Sequence, residues 1–185
     1  MQSPLDQPMS ANNEALAEQQ RQYLTLRVHQ EMYAVPTHCV REILEYGQIT
    51  LVPMMPRLVR GVINLRGLIV PIIDLAERFG HGQTQLDART CIVIVEIIDE
   101  EETHLMGALV DAVSAVVEIS PDAMRQAPAF GSRIPAEFIE EMARLDDHFI
   151  TLLRIEQVLS VEQIAAMAGQ GNESSDMRER AGASK

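Results

Sequence analysis

Five histidines, two cysteines and two aspartates that close apolar runs are the side chains here best equipped for chemistry. His29, His38, His81, His104 and His148 lie scattered along the chain. None sits in the His-x-x-x-His or His-Glu-x-x-His spacing that puts two imidazoles on one helix face for a metal. His38 adjoins Cys39, but neighbouring residues rarely share one metal, and no second pair follows to complete a tetrahedral set. Gly80-His81-Gly82 lacks the third glycine and the following helix of a phosphate-cradling loop. No Gly-x-Ser-x-Gly elbow is present. Asp74 and Asp111 each follow an apolar run. They suit a carboxylate pair in glycoside hydrolysis, or the capping role that strand-end aspartates more commonly play. The expectation is a chain that is not an enzyme, with no catalytic residues, cofactor or metal, and with its function carried by surfaces.

Charge narrows the surfaces. The chain has 185 residues, a formal net charge of −12 and 46% hydrophobic residues. Nucleic-acid phosphates demand clustered Lys and Arg, and an anionic membrane surface demands the same. Neither is an expected partner. The core must be aliphatic, because aromatic residues make up only 4% and Trp is absent. Cys39 and Cys91 are too few for a disulfide framework. No basic stretch leading into an apolar run marks a signal peptide. The longest apolar runs are strand-length, well short of the roughly 18 residues of a spanning helix, so a cytoplasmic protein without membrane insertion is expected.

The elements that position these side chains read mostly as short strands. Residues 1–20 form a polar tail, and 164–185 hold the end of a helix and a Gly/Ser-rich tail. Between them, Tyr23 to Val28 alternates as a strand, and Met32 to Val35 returns after a tight turn at His29-Gln30. Val40, Ile43 and Leu44 stand at helical spacing after Thr37, a ready N-cap, which predicts a short helix. Ile49 to Val52 reads as a strand. Leu58 and Val59 read as one helical turn. Gly61 to Leu75 is a hairpin whose tetrad Asn64-Leu65-Arg66-Gly67 suits a type I turn with Leu65 and Arg66 at its tip. Leu68 to Ile73 is apolar on both faces and reads as buried, with Pro71 at an edge or bulge. Ala76 to Phe79 is a short helix. Cys91 to Ile98 and Leu105 to Val110 are strands around an acidic turn, Asp99 to Glu102. Ile134 to Met142 reads as a helix, His148 to Leu153 as a strand, and Val161 to Ala168 as a helix capped by Ser160.

Taken together, the run Gly61-Val62-Ile63-Asn64-Leu65-Arg66-Gly67, its apolar sequel, Pro71 and Asp74-Leu75 resemble the CheW family of chemosensory coupling proteins. Val40-Arg41-Glu42-Ile43, Pro56 to Gly61, Gly107 to Val113 and Leu153 to Leu159 fall in the family's order over about residues 21–163. The resemblance implies an all-β fold of two five-stranded SH3-like barrels packed around a shared hydrophobic core, with short connecting helices and a C-terminal helix. The first barrel would take mainly residues 21–80 and the second mainly residues 90–153. The implied partners are a CheA-type histidine kinase and the cytoplasmic tip of a methyl-accepting chemoreceptor. Weak self-association in arrays is left open.

By the same resemblance, the receptor-facing residues are Val40, Glu42, Ile43, Gly61, Arg66, Cys91 and Ile92. Ile43 is the apolar anchor and Glu42 an orienting charge. Arg66 either faces a partner or braces the barrel on a carboxylate such as Glu42. The kinase side is expected around Ile49, Met54, Met55, Leu58 and Val59, where adaptable thioethers between two prolines suit a transient interface. His29-Gln30 departs from the family's usual Gly-Asp type turn, and Arg154 stands where a smaller residue is usual. A CheW-like array component that binds receptors without activating kinase is the alternative reading. An acidic nucleic-acid-binding barrel and a small hydrolase are alternatives of other classes.

Overall fold

The computed structural model describes residues 21–170. The tail expected over residues 1–20, and the part of the expected 164–185 stretch beyond residue 170, therefore lie outside the described residues. Eleven strands, three short α-helices and three single-turn 3-10 segments make up the described chain. The strands are β1 (Gln22–Val28), β2 (Glu31–Pro36), β3 (Val40–Glu45), β4 (Val59–Leu65), β5 (Leu68–Asp74) and β6 (Cys91–Asp99). They continue with β7 (Glu102–Val110), β8 (Ala112–Glu118), β9 (Met124–Arg125), β10 (Ile139–Leu145) and β11 (His148–Leu153). The helices are α1 (Leu75–Arg78), α2 (Ile155–Val158) and α3 (Val161–Gln170).

Two sheets form, in the order β8-β1-β2-β11-β10-β9 and β3-β6-β7-β5-β4. They correspond to the two expected barrels, the first carrying the two-residue β9 as an extra edge. The chain does not divide between them near residues 81–89. The six-stranded sheet takes β1 and β2 from the start and β8 to β11 from the end, while the five-stranded sheet takes the middle. Two parallel pairings do this. Thr151 and Leu152 of β11 lie on Tyr33 and Ala34 of β2, and Ile72 to Asp74 of β5 lie on Gly107 to Leu109 of β7. Parallel neighbours need long crossovers, so sequence proximity does not reveal them.

Period-two alternation sorts the aliphatic side chains into three cores. Val93, Val95 and Ile97 of β6 point to a large core shared with Leu24, Leu26 and Val28 of β1 and with Ile155, Val158 and Leu159 of the C-terminal segment. Ile92 and Ile94 point the other way, into the small core of the five-stranded sheet with Val70, Ile72 and Leu109. The six-stranded sheet has its own core around Tyr23, Ala34, Ile150 and Leu152. Burial of this kind supplies most of the stability, since full burial of one such side chain is worth about 1.5–3 kcal/mol.

Several segments differ from the reading above. Residues 37–44 are not a helix: Thr37–Cys39 is a single 3-10 turn and Val40–Glu45 is a strand. Ile49 to Val52 contributes only one isolated bridge, Thr50 to Val62. Leu58 sits in a turn and Val59 opens β4. Ile134 to Met142 holds a 3-10 turn, Ala136–Phe138, and then β10. Leu68 and Ile69 are exposed rather than buried, because β7 pairs with β5 only from Ile72 onward. The hairpin turn is centred on Arg66-Gly67, not on Leu65-Arg66: Leu65 pairs with Leu68, and the two central residues have φ of 51° and 87°. Positive φ at both is the type I′ geometry that matches strand twist. The Asn64 side chain supports it by accepting from the Gly67 amide at 2.8 Å.

Asp74 caps α1. Its Oδ1 accepts from the Ala76 and Glu77 amides and from the Thr84 hydroxyl at 2.7 Å, and its Oδ2 accepts from the Thr84 amide at 2.8 Å. Arg60 adds charge at 3.7 Å. This carboxylate is wholly buried and fully occupied with structure, which is the capping reading of a strand-end aspartate.

Candidate functional site

β3 is an outer strand of its sheet, paired only with β6. Its register carries a bulge: Val40 lies opposite Val95, Glu42 opposite Ile94 and Ile43 opposite Val93. One extra residue, Arg41, is accommodated between the first two pairs. A bulge bends the strand and re-aims its side chains. Here it leaves Val40 and Ile43 on the face of Val93 and Val95, towards the shared core, and it sends Glu42 to the opposite face with Ile94.

Cys91 belongs with Val40 and Ile43. It lies opposite Glu45 and on the same face of β6 as Val93, and it packs against the shared core while remaining partly exposed. Its thiol donates to the Arg89 carbonyl. Val40 is half-buried and Ile43 is 44% exposed. The three side chains make a mainly apolar strip along the open rim of the five-stranded sheet, with the exposed Glu45 at its Cys91 end. Ile92, by contrast, is buried in that sheet's small core. It supports the strip from behind and offers no surface of its own.

The opposite face of β3 carries charge. Arg66, at the hairpin tip, clamps Glu42 with two hydrogen bonds: Nη1 donates to Oε1 at 2.8 Å and Nη2 donates to Oε2 at 3.3 Å. Glu42 is the inner partner, with 25% of its side chain exposed against 78% for Arg66. The bracing role for Arg66 is thus present in the geometry. So exposed a pair contributes about 0–1 kcal/mol to stability, but the bidentate geometry fixes the direction of the carboxylate. Arg41, turned the same way by the bulge, pairs with Glu96 of β6. These two pairs edge an open groove of about 420 Å³ floored by Leu65, Leu68 and Leu105. The Arg41–Glu96 pair was not legible in the sequence, because nothing in the residue types marks the bulge that aims Arg41.

Gly61 is structural. Its φ is 141°, and a Cβ there would overlap the Thr50 carbonyl oxygen and Ile49 Cγ2. Only glycine lets β4 close on the 47–52 segment, through the reciprocal Thr50–Val62 backbone bonds at 2.8 and 2.9 Å. That segment leads into the expected kinase side. Leu58 is buried in the shared core and Val59 is half-buried against it. Ile49 packs on the small core. Met54 is 80% exposed, with φ of 64°, and Met55, Leu51 and Val52 beside it are also exposed. Of the five residues expected there, the two methionines are the ones that present free apolar surface. They lie on the connection between β3 and β4.

Among the described residues, no three His, Cys, Asp or Glu side chains converge where a metal ion would fit. No helix among them is long and apolar enough to cross a membrane.

Comparison with known proteins decides the family. The CheW-like domain matches residues 22–163, most of the chain. The chain belongs to the CheW family. Chemotaxis protein CheW of Klebsiella aerogenes is 31% identical over 145 residues, which cover 78% of this chain and 85% of that protein. Probable chemotaxis protein CheW of Rhizobium etli is 30% identical over 152 residues, covering 82% and 96%. The crystal structure of the scaffolding protein TtCheW from Thermoanaerobacter tengcongensis matches with a TM-score of 0.68 at 31% identity, covering 76% of this chain and 93% of that one. A CheW-like domain is a chemotaxis coupling scaffold and not an enzyme.

Proposed function

We propose that this chain couples the cytoplasmic tips of methyl-accepting chemoreceptors to a CheA-type histidine kinase in the cytoplasm. The observation that carries the reading is the rim of β3. Its Val40–Ile43–Cys91 strip leaves apolar surface uncovered at an open sheet edge, and its other face holds Glu42 fixed by Arg66. An apolar strip next to an oriented carboxylate suits a helical hairpin, which buries one or two anchors and is set in register by the charge. The kinase docks on the exposed Met54-Met55 segment. Thioether side chains adapt to a partner that must stay in place while its activity changes.

No bond is made or broken in this function. Receptor states alter kinase output through a coupling free energy, because they differ in how they bind the adaptor and kinase together. The test is reconstitution from receptor-bearing membranes, kinase and this protein. Kinase autophosphorylation is expected to rise severalfold when the protein is added and to fall when attractant is added. Equal phosphorylation with and without it refutes the coupling role. Receptor binding by this protein with no kinase recovered in the pellet supports the non-activating array component instead.

A further inference from the structure

The seam between the two sheets holds a cavity of about 620 Å³. It lies where the chain passes from β7 in one sheet to β8 in the other through the single residue Asp111, whose amide donates to the Arg27 carbonyl at 3.0 Å. Two imidazoles meet at this cavity. His29 comes from the β1–β2 turn of the six-stranded sheet, and His81 follows α1, which continues β5 of the five-stranded sheet. Their rings are stacked, with centroids 4.9 Å apart and planes 7° from parallel.

His29 is exposed and has φ of 58°, a left-handed turn conformation in which histidine, like asparagine and aspartate, is enriched among residues other than glycine. His81 is partly buried, and its Nε2 is shielded from solvent without a hydrogen-bond partner. A buried nitrogen with no acceptor near it is a poor place for a second N–H. Two neutral rings stack comfortably, and one charged ring on a neutral one is tolerated. Two imidazolium rings face to face repel.

We propose that the His29–His81 stack is a proton-operated latch between the two sheets, closed while the rings are neutral and released when both are protonated. Charged groups reach the pair from each neighbouring element. Arg27 lies on β1 and Glu31 on β2, where Arg133 bonds it at 2.9 Å. Asp87 stands on the loop after α1, and Asp111 at the crossover. Burial holds the His81 imidazole below its usual value, His29 and Arg133 push the same way, and Glu31 opposes them. Burial pushes the Asp111 carboxyl up, partly offset by the His29 amide and Arg27. For His81 the sign is clear. A depressed histidine contributes its full share of stability above the free-imidazole value of about 6.5, and that share is lost as pH falls through the folded value. The latch therefore gives the adaptor an acid-sensitive joint, whichever partners dock on it.

The test follows the imidazole Cε1–H resonances of the full chain by NMR from about pH 8 to about pH 5. His81 is expected to titrate below free imidazole, and the ring-current shifts of both histidines are expected to collapse in that same step. His29→Asn keeps a residue at ease with positive φ and removes the ring. In it, the His81 midpoint moves up towards the free value. The Tm drop on acidification, expected to exceed by roughly 2–4 °C that of a chain without the stack, is reduced in His29→Asn and lost in His81→Asn. Ring-current shifts that persist after both rings are protonated overturn the proposal. So does a His81 midpoint unmoved by His29→Asn, or a Tm drop unchanged in both variants.

Discussion

Truncating Ile43 to alanine separates surface contact from core packing at the proposed receptor strip. Ile43 is 44% exposed, so a partner that covers it completely removes that remaining fraction from water. Full burial of an isoleucine is worth about 1.5–3 kcal/mol, which makes the uncovered share about 0.7–1.3 kcal/mol. At about 1.4 kcal/mol per tenfold, the variant should bind receptor roughly three- to ninefold more weakly. The share already buried in the fold implies a loss of about 0.8–1.7 kcal/mol of stability, or roughly 2–7 °C in Tm. Native proteins commonly have about 5–15 kcal/mol in hand, so the variant stays folded. The assay is co-sedimentation with receptor-bearing membranes across a concentration series, alongside a thermal melt. Receptor affinity within 1.5-fold of native, in a chain showing the expected fall in Tm, refutes the strip as a docking surface.

Three further outcomes are expected. Gly61→Ala should cost about 2–4 kcal/mol, read as a Tm lower by several degrees, because the new methyl meets the Thr50 carbonyl and the backbone is strained. A Tm within 1 °C of native would show that the segment gives way freely. Asp74→Ala removes the α1 cap and leaves buried donors of Thr84 unpaired, a loss of about 3–5 kcal/mol by chemical denaturation, whereas Asp74→Asn, which keeps one acceptor, should cost less. Burial pushes the Cys39 thiol up to about 12, so maleimide at neutral pH should modify the partly exposed Cys91 and reach Cys39 only in denaturant; native labelling of both thiols contradicts the buried placement.

The β3 rim shows why the fold class was readable and the site was not. Strand content, the hairpins and the C-terminal helix follow from alternation and turn residues, which are local signals. Val40, Ile43 and Leu44 mimic a helix because a bulge inserts Arg41 and turns a spacing of two into a spacing of three. The β-branched Val and Ile were the cue against a helix. The helical reading puts Leu44 on one face with Val40 and Ile43, whereas the strand turns Leu44 the other way, onto the small core with Ile92. Ile92 and Leu58 were placed in docking sets by resemblance, yet tertiary packing buries both. The Arg66–Glu42 brace is one of the two readings the sequence leaves open for the tip arginine, because both residue types are visible there, and the geometry makes the contact. Arg41–Glu96 and His29–His81 join side chains 55 and 52 positions apart through register alone, and no local pattern announces them.

The interleaving of the sheets bears on how the polypeptide reaches this state. β1 must wait for β8, and β2 for β11, so the opening hairpin finds both neighbours only after some 90 to 120 further residues have been made. Such distant partners raise contact order and place folding towards the slow, millisecond-to-second end for single domains. Neither half of the chain holds a complete sheet, and a ribosome-bound fragment ending near residue 90 would expose unpaired edges to chaperones.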